Sequence, residues 1–301
     1  MNLPHNEIAT YLLVVAVSAF AVLILGLFAL RGLQKFGCRQ YIRDDGPSWH
    51  DTKAGTPTLG GLFFIIPALI VGLIAAGLHR PLLIIAAMTF AFLLLGFSDD
   101  FLMLRRKNNL GFKARHKLIA QFFLAAVFVY ALDRSGSLEN IVRLPFVSYI
   151  VALPTWLYLP LAVFLVVITS NATNLTDGLD GLLASLTIIT AAAFALLAFW
   201  QQNFHAALFA CALLGAALGF LYYNRHPARV FMGDTGSLAL GASFAGLALL
   251  VNAEIILLLF GAVFFLEMLS VIIQVISYKL TGRRVFKMSP VHHHLEMSGW
   301  K

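Results

Sequence analysis

Residues 82–101 read LLIIAAMTFAFLLLGFSDDF. An uncharged apolar run ends on two adjacent aspartates. The run is continuous and does not alternate, which argues for a helix and against a barrel strand. Its length matches the roughly 20 apolar residues needed to cross a hydrocarbon core. The rest of the chain repeats the pattern. Of 301 residues, 60% are hydrophobic and 12% are charged. A soluble domain carries about 25% charged residues. A chain this long with so little charge cannot clothe a water-facing surface, so soluble, disordered and disulfide-scaffold classes are excluded.

Nine segments qualify, or nearly qualify, as spans: 8–30, 57–78, 82–101, 118–132, 148–169, 182–200, 206–222, 237–252 and 255–278. The expected fold is an all-α polytopic transmembrane bundle, one membrane domain over 1–301. Basic residues orient it. Of 21 Lys and Arg, only Arg80, Arg134 and Arg143 fall on one side. The others sit in segments 31–56, 102–117, 223–236 and 279–301, which makes that side cytoplasmic and puts the N-terminus outside. The net charge of +7 is thus a topology signal and not a nucleic-acid footprint. The first span has no basic segment before it and reads as a retained helix. Cys38 and Cys211, one in a basic loop and one in an apolar run, are not expected to pair.

Acids do not obey the positive-inside rule, yet Asp99, Asp100, Asp177, Asp180 and Asp234 all fall at the cytoplasmic ends of spans. Asp99 and Asp100 close the third span at the negative end of its dipole, where anions are disfavoured. Lys117 or a divalent cation is expected to offset them. In SNATNLTDGLDGL, opening the sixth span, Asn171, Asn174, Asp177 and Asp180 recur every three residues and would share a helix face. Gly178 and Gly181 would admit close approach of a backbone or ligand. RVFMGDTGS opens the eighth span with Asp234, a candidate Mg²⁺ ligand, since that ion favours carboxylates, waters and substrate phosphates. In HDTKAGTPTLGG, Thr56 and Pro57 fit N-cap and first-turn positions of the second span, and Lys53 beside that helix start makes an anion site. His292, His293 and His294 follow the ninth span. With no Cys nearby they suit phosphate binding or proton transfer near neutral pH better than zinc.

Together these segments resemble the phospho-N-acetylmuramoyl-pentapeptide transferase family, of the polyprenyl-phosphate N-acetylhexosamine-1-phosphate transferase superfamily. The matching stretches are Asp45-Gly46-Pro47 with His50; Lys53 to Gly61; Asp99-Asp100; Asn171 to Gly181; Val230 to Asp234; and His292-His293-His294 with Gly299-Trp300. The resemblance implies transfer of phospho-MurNAc-pentapeptide from UDP-MurNAc-pentapeptide to undecaprenyl phosphate. The products would be lipid I and UMP, made at the cytoplasmic face of the bacterial inner membrane in peptidoglycan synthesis. It implies Mg²⁺ on Asp234, and Asp99 as base on the lipid phosphate with Asp100 beside it. Lys53, Lys117, Asn171, Asn174, Asp177, Gly178, Leu179, Asp180, Asn224 and Phe231 would line the substrate region, with the three histidines on the pyrophosphate side. The lipid bilayer is the implied setting, nucleic acid is not a partner, and a homodimer is compatible with the pattern. The family usually has a tenth span after the histidines, whereas this chain stops at Lys301.

Two rival readings make different demands on the sequence. An ion-coupled transporter would carry acids near the midplane and an internal repeat, but only Glu267 falls there and no repeat is visible. A sibling enzyme moving GlcNAc-1-phosphate shares the paired Asp, but the triple His argues against it. A bent ninth span near Gly261 or Glu267 would shape a groove for the lipid.

Overall fold

The computed structural model describes residues 5–35, 55–106, 111–145, 147 and 149–300. It is a helical bundle: α1 (His5–Lys35), α2 (Gly61–Ala75), α3 (Arg80–Arg106), α4 (Ala114–Arg134), α5 (Thr155–Thr176), α6 (Leu182–Trp200), α7 (Phe204–Asn224), α8 (Gly233–Leu250), α9 (Glu254–Phe260), α10 (Ala262–Thr281) and α11 (Val291–Glu296). Eight of these are long and apolar enough to cross a membrane, and α2 is a shorter apolar helix.

Two helices form the centre. α8 packs against α3, α5 and α2, and α7 packs against α1, α6 and α2. Their sequences explain this. GDTGSLALGASFAGLALL and FHAALFACALLGAALGFLYYN are rich in Gly, Ala and Ser, which let helix backbones approach closely in lipid. Every α8 residue from Thr235 to Leu249 is buried. Gly61 of α2 lies directly against the α8 backbone at Gly236, and Gly96 of α3 against Asp234 and Thr235. Thr89 and Ser243 hydroxyls share a buried hydrogen bond of 2.9 Å between α3 and α8. Outer helices α1, α4 and α10 instead expose large side chains such as Leu12, Phe20, Phe123 and Leu266. On a water-facing protein these would be a liability; here they are the lipid-facing surface.

Several boundaries differ from the sequence expectation, each for a local reason. The second span starts at Gly61, so Thr56 and Pro57 are neither N-cap nor first turn. Segment 57–61 pairs its backbone with 231–232 instead: Phe231 N donates to Pro57 O, Gly60 N to Phe231 O and Gly61 N to Met232 O. Leu59, at φ 71°, is incompatible with a helix running through it. α3 continues to Arg106, so Asp99 and Asp100 lie two turns before its end and not at its terminus. The fifth predicted span begins as a strand. Ile150–Ala152 pairs antiparallel with Ile141–Arg143, a hairpin the hydropathy pattern hides. Pro154, extended at ψ 144°, then starts α5. That helix runs to Thr176, so Asn171 and Asn174 close α5 and do not open α6. The ninth span breaks at Gly261 into α9 and α10, as expected of a bent helix.

On the face carrying Arg80 and Arg134, the rings of His79 and His205 stack in parallel, 4.4 Å apart. His205 Nδ1–H donates to Ala76 O at 3.0 Å. Burial, with His205 beside it, holds the His79 imidazole below its usual pKa.

Candidate active site

Polar side chains gather where α3, α4, α5 and α8 meet at the end of the bundle bearing the basic loops. The start of α8 is the pivot. Its first amides have no partner inside the helix, and Asp100 of α3 supplies one. Asp100 Oδ1 accepts from Asp234 N at 3.1 Å, and Oδ2 accepts from Thr235 N at 2.9 Å and Thr235 Oγ1 at 2.6 Å. The carboxylate therefore caps α8 from another helix, on the positive end of its dipole. Both of its oxygens are engaged.

Asp99, its neighbour, points elsewhere. Lys117, in the first turn of α4, donates to Asp99 Oδ2 at 3.0 Å and also to Asp234 Oδ2. The amide of Phe112 donates to Asp99 Oδ1. Asp234 Oδ1 accepts from Asn174 Nδ2 at 2.7 Å, and that amide group also reaches Ser237 Oγ at 2.9 Å. One ammonium thus bridges two carboxylates from different helices, and one asparagine fixes the far oxygen of the second. This matches the expectation that Lys117 offsets the acid pair, refined in one respect: it serves Asp99 and Asp234, while Asp100 relies on α8.

Asp177 is the C-cap of α5. Burial, then the nearby Asp234 charge, pushes its carboxyl up to about 7, although the Gly233 amide donates to it. Gly178 follows, and the His292 ring sits over its Cα where a side chain would stand. His292 is held from α10: Glu267 Oε2 accepts from His292 N at 3.2 Å and lies 3.1 Å from Nδ1. Both Glu267 and His292 are buried, and neither ring nitrogen of His292 makes a hydrogen bond among the described residues, although Nδ1 stands close to Glu267. The rings of His292 and His293 touch, with centroids 4.2 Å apart, but the three histidines take different partners. His293 Nδ1 pairs with Glu296 at 2.8 Å, and His294 Nδ1 accepts from Lys287 N at 3.1 Å. The tail between runs back along α10: Gln274 brackets Phe286, accepting from Val285 N and Phe286 N and donating to Phe286 O, and Ser277 Oγ donates to Arg283 O.

The remaining sequence candidates lie around this centre. Asp180 Oδ2 accepts from Ala228 N at 3.1 Å and meets His226 Nδ1 at 3.0 Å, bracing the turn before α8. Asn224 Oδ1 accepts from Gly181 N and its Nδ2 donates to Val230 O, so this buried amide ties two loops together. Leu179 O accepts from Leu182 N, and Phe231 makes the backbone pairs with Pro57 and Gly60. Asn171 turns toward α4 and meets Gln121. Lys53, His50 and Asp45 lie outside the described residues.

Sequence reasoning passed over Thr235, Ser237 and Gln121, and it saw Glu267 without its partner. Thr235 and Ser237 lie in the quoted GDTGS stretch but look like ordinary helix-start residues. Glu267 carried a signal, being the lone acid within a span. Among the described residues no three acid, His or Cys groups form a metal cage. The oxygens gathered at the centre are the carboxylates of Asp99 and Asp234. Carboxylate oxygen suits a hard ion that keeps waters and takes phosphate oxygens, as Mg²⁺ does, better than zinc.

Residues 82–252 match the family described as Glycosyl transferase family 4. The chain is similar to the phospho-N-acetylmuramoyl-pentapeptide-transferase of Shouchella clausii (strain KSM-K16), 46% identical over 97% of this chain and 90% of that one. It is similar to the protein of the same name from Caldanaerobacter subterraneus subsp. tengcongensis, 46% identical over 94% of this chain and 89% of that one. For the Halalkalibacterium halodurans protein the identity is 47%, over 88% and 82%. On these matches the chain is a multi-pass membrane transferase that belongs to the phospho-N-acetylmuramoyl-pentapeptide-transferase family.

Proposed function

We propose that the polar centre between α3, α4, α5 and α8 carries the family reaction at the cytoplasmic face of the bacterial inner membrane. Phospho-MurNAc-pentapeptide passes from UDP-MurNAc-pentapeptide to undecaprenyl phosphate, giving lipid I and UMP. One P–O bond, to UMP, is exchanged for another, to the lipid phosphate. The observation that carries this reading is the bridging of Asp99 and Asp234 by Lys117.

Phosphoryl transfer depends on positioning and charge neutralisation. Asp99 lies two residues from the outward-facing Phe101 at the apolar boundary, where a lipid phosphate would arrive. Its carboxylate takes the remaining proton of that phosphate and aims the oxygen. Lys117 pairs with Asp99 and moves between carboxylate and phosphate as charge shifts. Asp234, fixed by Asn174, would hold Mg²⁺, which neutralises the charge on the departing UMP when bound. His292, over Gly178 and oriented by Glu267, presents Nε2 toward the nucleotide side. Asp177, Gly178 and Phe231 complete that side, and Lys53 is assigned to the substrate on family membership alone. Asn224, Asp180 and Leu179 shape the loops that carry it. The break at Gly261 and the exposed flank of α10 provide the lipid with an approach.

The test is UMP release by the purified chain with undecaprenyl phosphate and either UDP-MurNAc-pentapeptide or UDP-GlcNAc. Release with the first donor alone, stopped by EDTA and restored by Mg²⁺, is expected. Release with UDP-GlcNAc instead would assign the sibling chemistry, and EDTA-insensitive turnover would remove the metal from Asp234.

A further inference from the structure

α4 buries one stripe: Gln121, Ala125, Val129 and Leu132. Three members are apolar, as a membrane helix packed on its neighbours requires. Gln121 is the exception and is fully buried. Its Oε1 accepts from Asn171 Nδ2 of α5 at 2.7 Å, and the same Nδ2 reaches Val167 O at 2.8 Å. Gln121 Nε2 has no acceptor among the described residues. Half of this amide is thus buried without compensation, so an apolar residue of similar size would serve stability as well or better.

The position of the pair suggests what it does instead. Gln121 lies one turn deeper along α4 than Lys117, about 6 Å. Asn171 lies three residues before Asn174 on α5, on the same face. The two upper residues converge on one carboxylate, with Lys117 on Asp234 Oδ2 and Asn174 on Oδ1. α4 has few other ties; it packs on α3 and α5, with most of its surface turned outward. Apolar packing between two membrane helices is tolerant of small slides, whereas a directional hydrogen bond is not. We infer that the Gln121–Asn171 hydrogen bond is a register pin: Gln121 is a positioning residue that sets the height at which Lys117 meets Asp99 and Asp234. Asn171 then acts through α4 and does not contact substrate. The inference rests on the proposed role of the Asp99–Lys117–Asp234 centre.

Four variants of the chain test it: Gln121→Met, Gln121→Asn, Asn171→Gln, and the exchange Gln121→Asn with Asn171→Gln, which keeps the combined reach of the two amides. For Gln121→Met, kcat is expected to fall at least tenfold. KM for UDP-MurNAc-pentapeptide should stay within twofold, and Tm should not drop. The exchange should recover at least a third of the wild-type kcat, well above Asn171→Gln alone. A Gln121→Met kcat within twofold of wild type overturns the inference. So does a loss carried by KM, which would return Asn171 to the substrate, or a Tm that falls in step with kcat. If Gln121→Met does not fold, the exchange against its two single variants decides the matter, and no recovery refutes the pin. Asp99→Asn is assayed alongside. An active Asp99→Asn brings down the reading of the centre itself, whereas an inactive Asp99→Asn with fully active Gln121→Met brings down only the pin.

Discussion

Gly96→Ala is the sharpest probe of how α3 and α8 build the site. A Cβ on Gly96 would stand 2.7 Å from Thr235 N and closer still to the Asp234 carbonyl. Comfortable separation for a carbon is about 3.5 Å, so the two helices must part by on the order of 1 Å. Backbone lies on both sides, and no flexible side chain can yield. The displacement acts where Asp100 caps α8. Bonds of 3.1 and 2.9 Å to Asp234 N and Thr235 N would lengthen beyond the roughly 3.2 Å limit of a good hydrogen bond. Overpacking of this kind costs about 1–3 kcal/mol, and each hydrogen bond to a charged group contributes about 1.5–3 kcal/mol. Asp234 moves with the helix start, away from Lys117. A misplacement of about 1 Å at a reacting centre costs on the order of 100-fold in rate. The assay is UMP release alongside Tm in detergent, with Gly32→Ala as control because nothing lies within 4 Å of a Cβ there. Gly96→Ala should lose about 100-fold in turnover and show a lowered Tm, while Gly32→Ala matches wild type. Turnover of Gly96→Ala within threefold of wild type would refute the claim that this crossing sets the site.

Two further expectations follow from the same geometry. Asp99→Asn should abolish nearly all turnover with Tm unchanged, because Asp99 caps nothing; Asp100→Ala should lose turnover and Tm together, because it strips the cap from α8. Equal Tm in both variants would contradict the division of labour. On the other face, burial and the neighbouring His205 hold the His79 pKa down. The unfolded chain therefore takes up a proton near pH 6.5 that the folded one resists. Stability should be full above that pH and decline as pH falls toward the folded pKa, and His79→Gln should flatten this slope. An identical Tm-against-pH curve for the variant would show that the stacked pair is not the source.

The bundle itself was legible in the apolar runs because crossing a bilayer imposes length and hydrophobicity on each helix. What stayed hidden was where a polar or mixed stretch belongs. The same SNATNLTDGLDGL letters that suggested the start of α6 form the end of α5, since hydropathy falls before the helix does. Residues 150–152 are apolar enough to pass for the start of the span expected at 148–169, and only their pairing with 141–143 reveals a hairpin. At the site, the acids were visible as acids out of place, and Lys117 as the charge to offset them. That Asp100 and Asp99 act on different partners was not, because adjacent residues on a helix point about 100° apart and sequence gives no partner for either direction. Asn224 and Asp180 stood out as residues of the substrate region, but their hydrogen bonds to the loops before α6 and α8 had no signal in spacing or composition. Gln121 went unnoticed because one amide in an apolar helix reads as a tolerated exception.

The tail that brings His292 over Gly178 behaves as a zipper. Glu267 with His292, Gln274 with Phe286, and Ser277 with Arg283 are successive rungs between α10 and the chain returning along it. The turn lies at 281–284, exposed, with Gly282 at φ 68° and nothing near it. Residues added at that tip lengthen a closed loop without shifting any rung, and doubling a loop costs only about 0.6 kcal/mol in closure entropy. The tip is therefore the place to graft an epitope or a fluorophore on this enzyme, whereas one residue inserted between Glu267 and Gln274 would turn the Gln274 and Ser277 rungs about 100° away from Glu267 and pull His292 from its seat over Gly178.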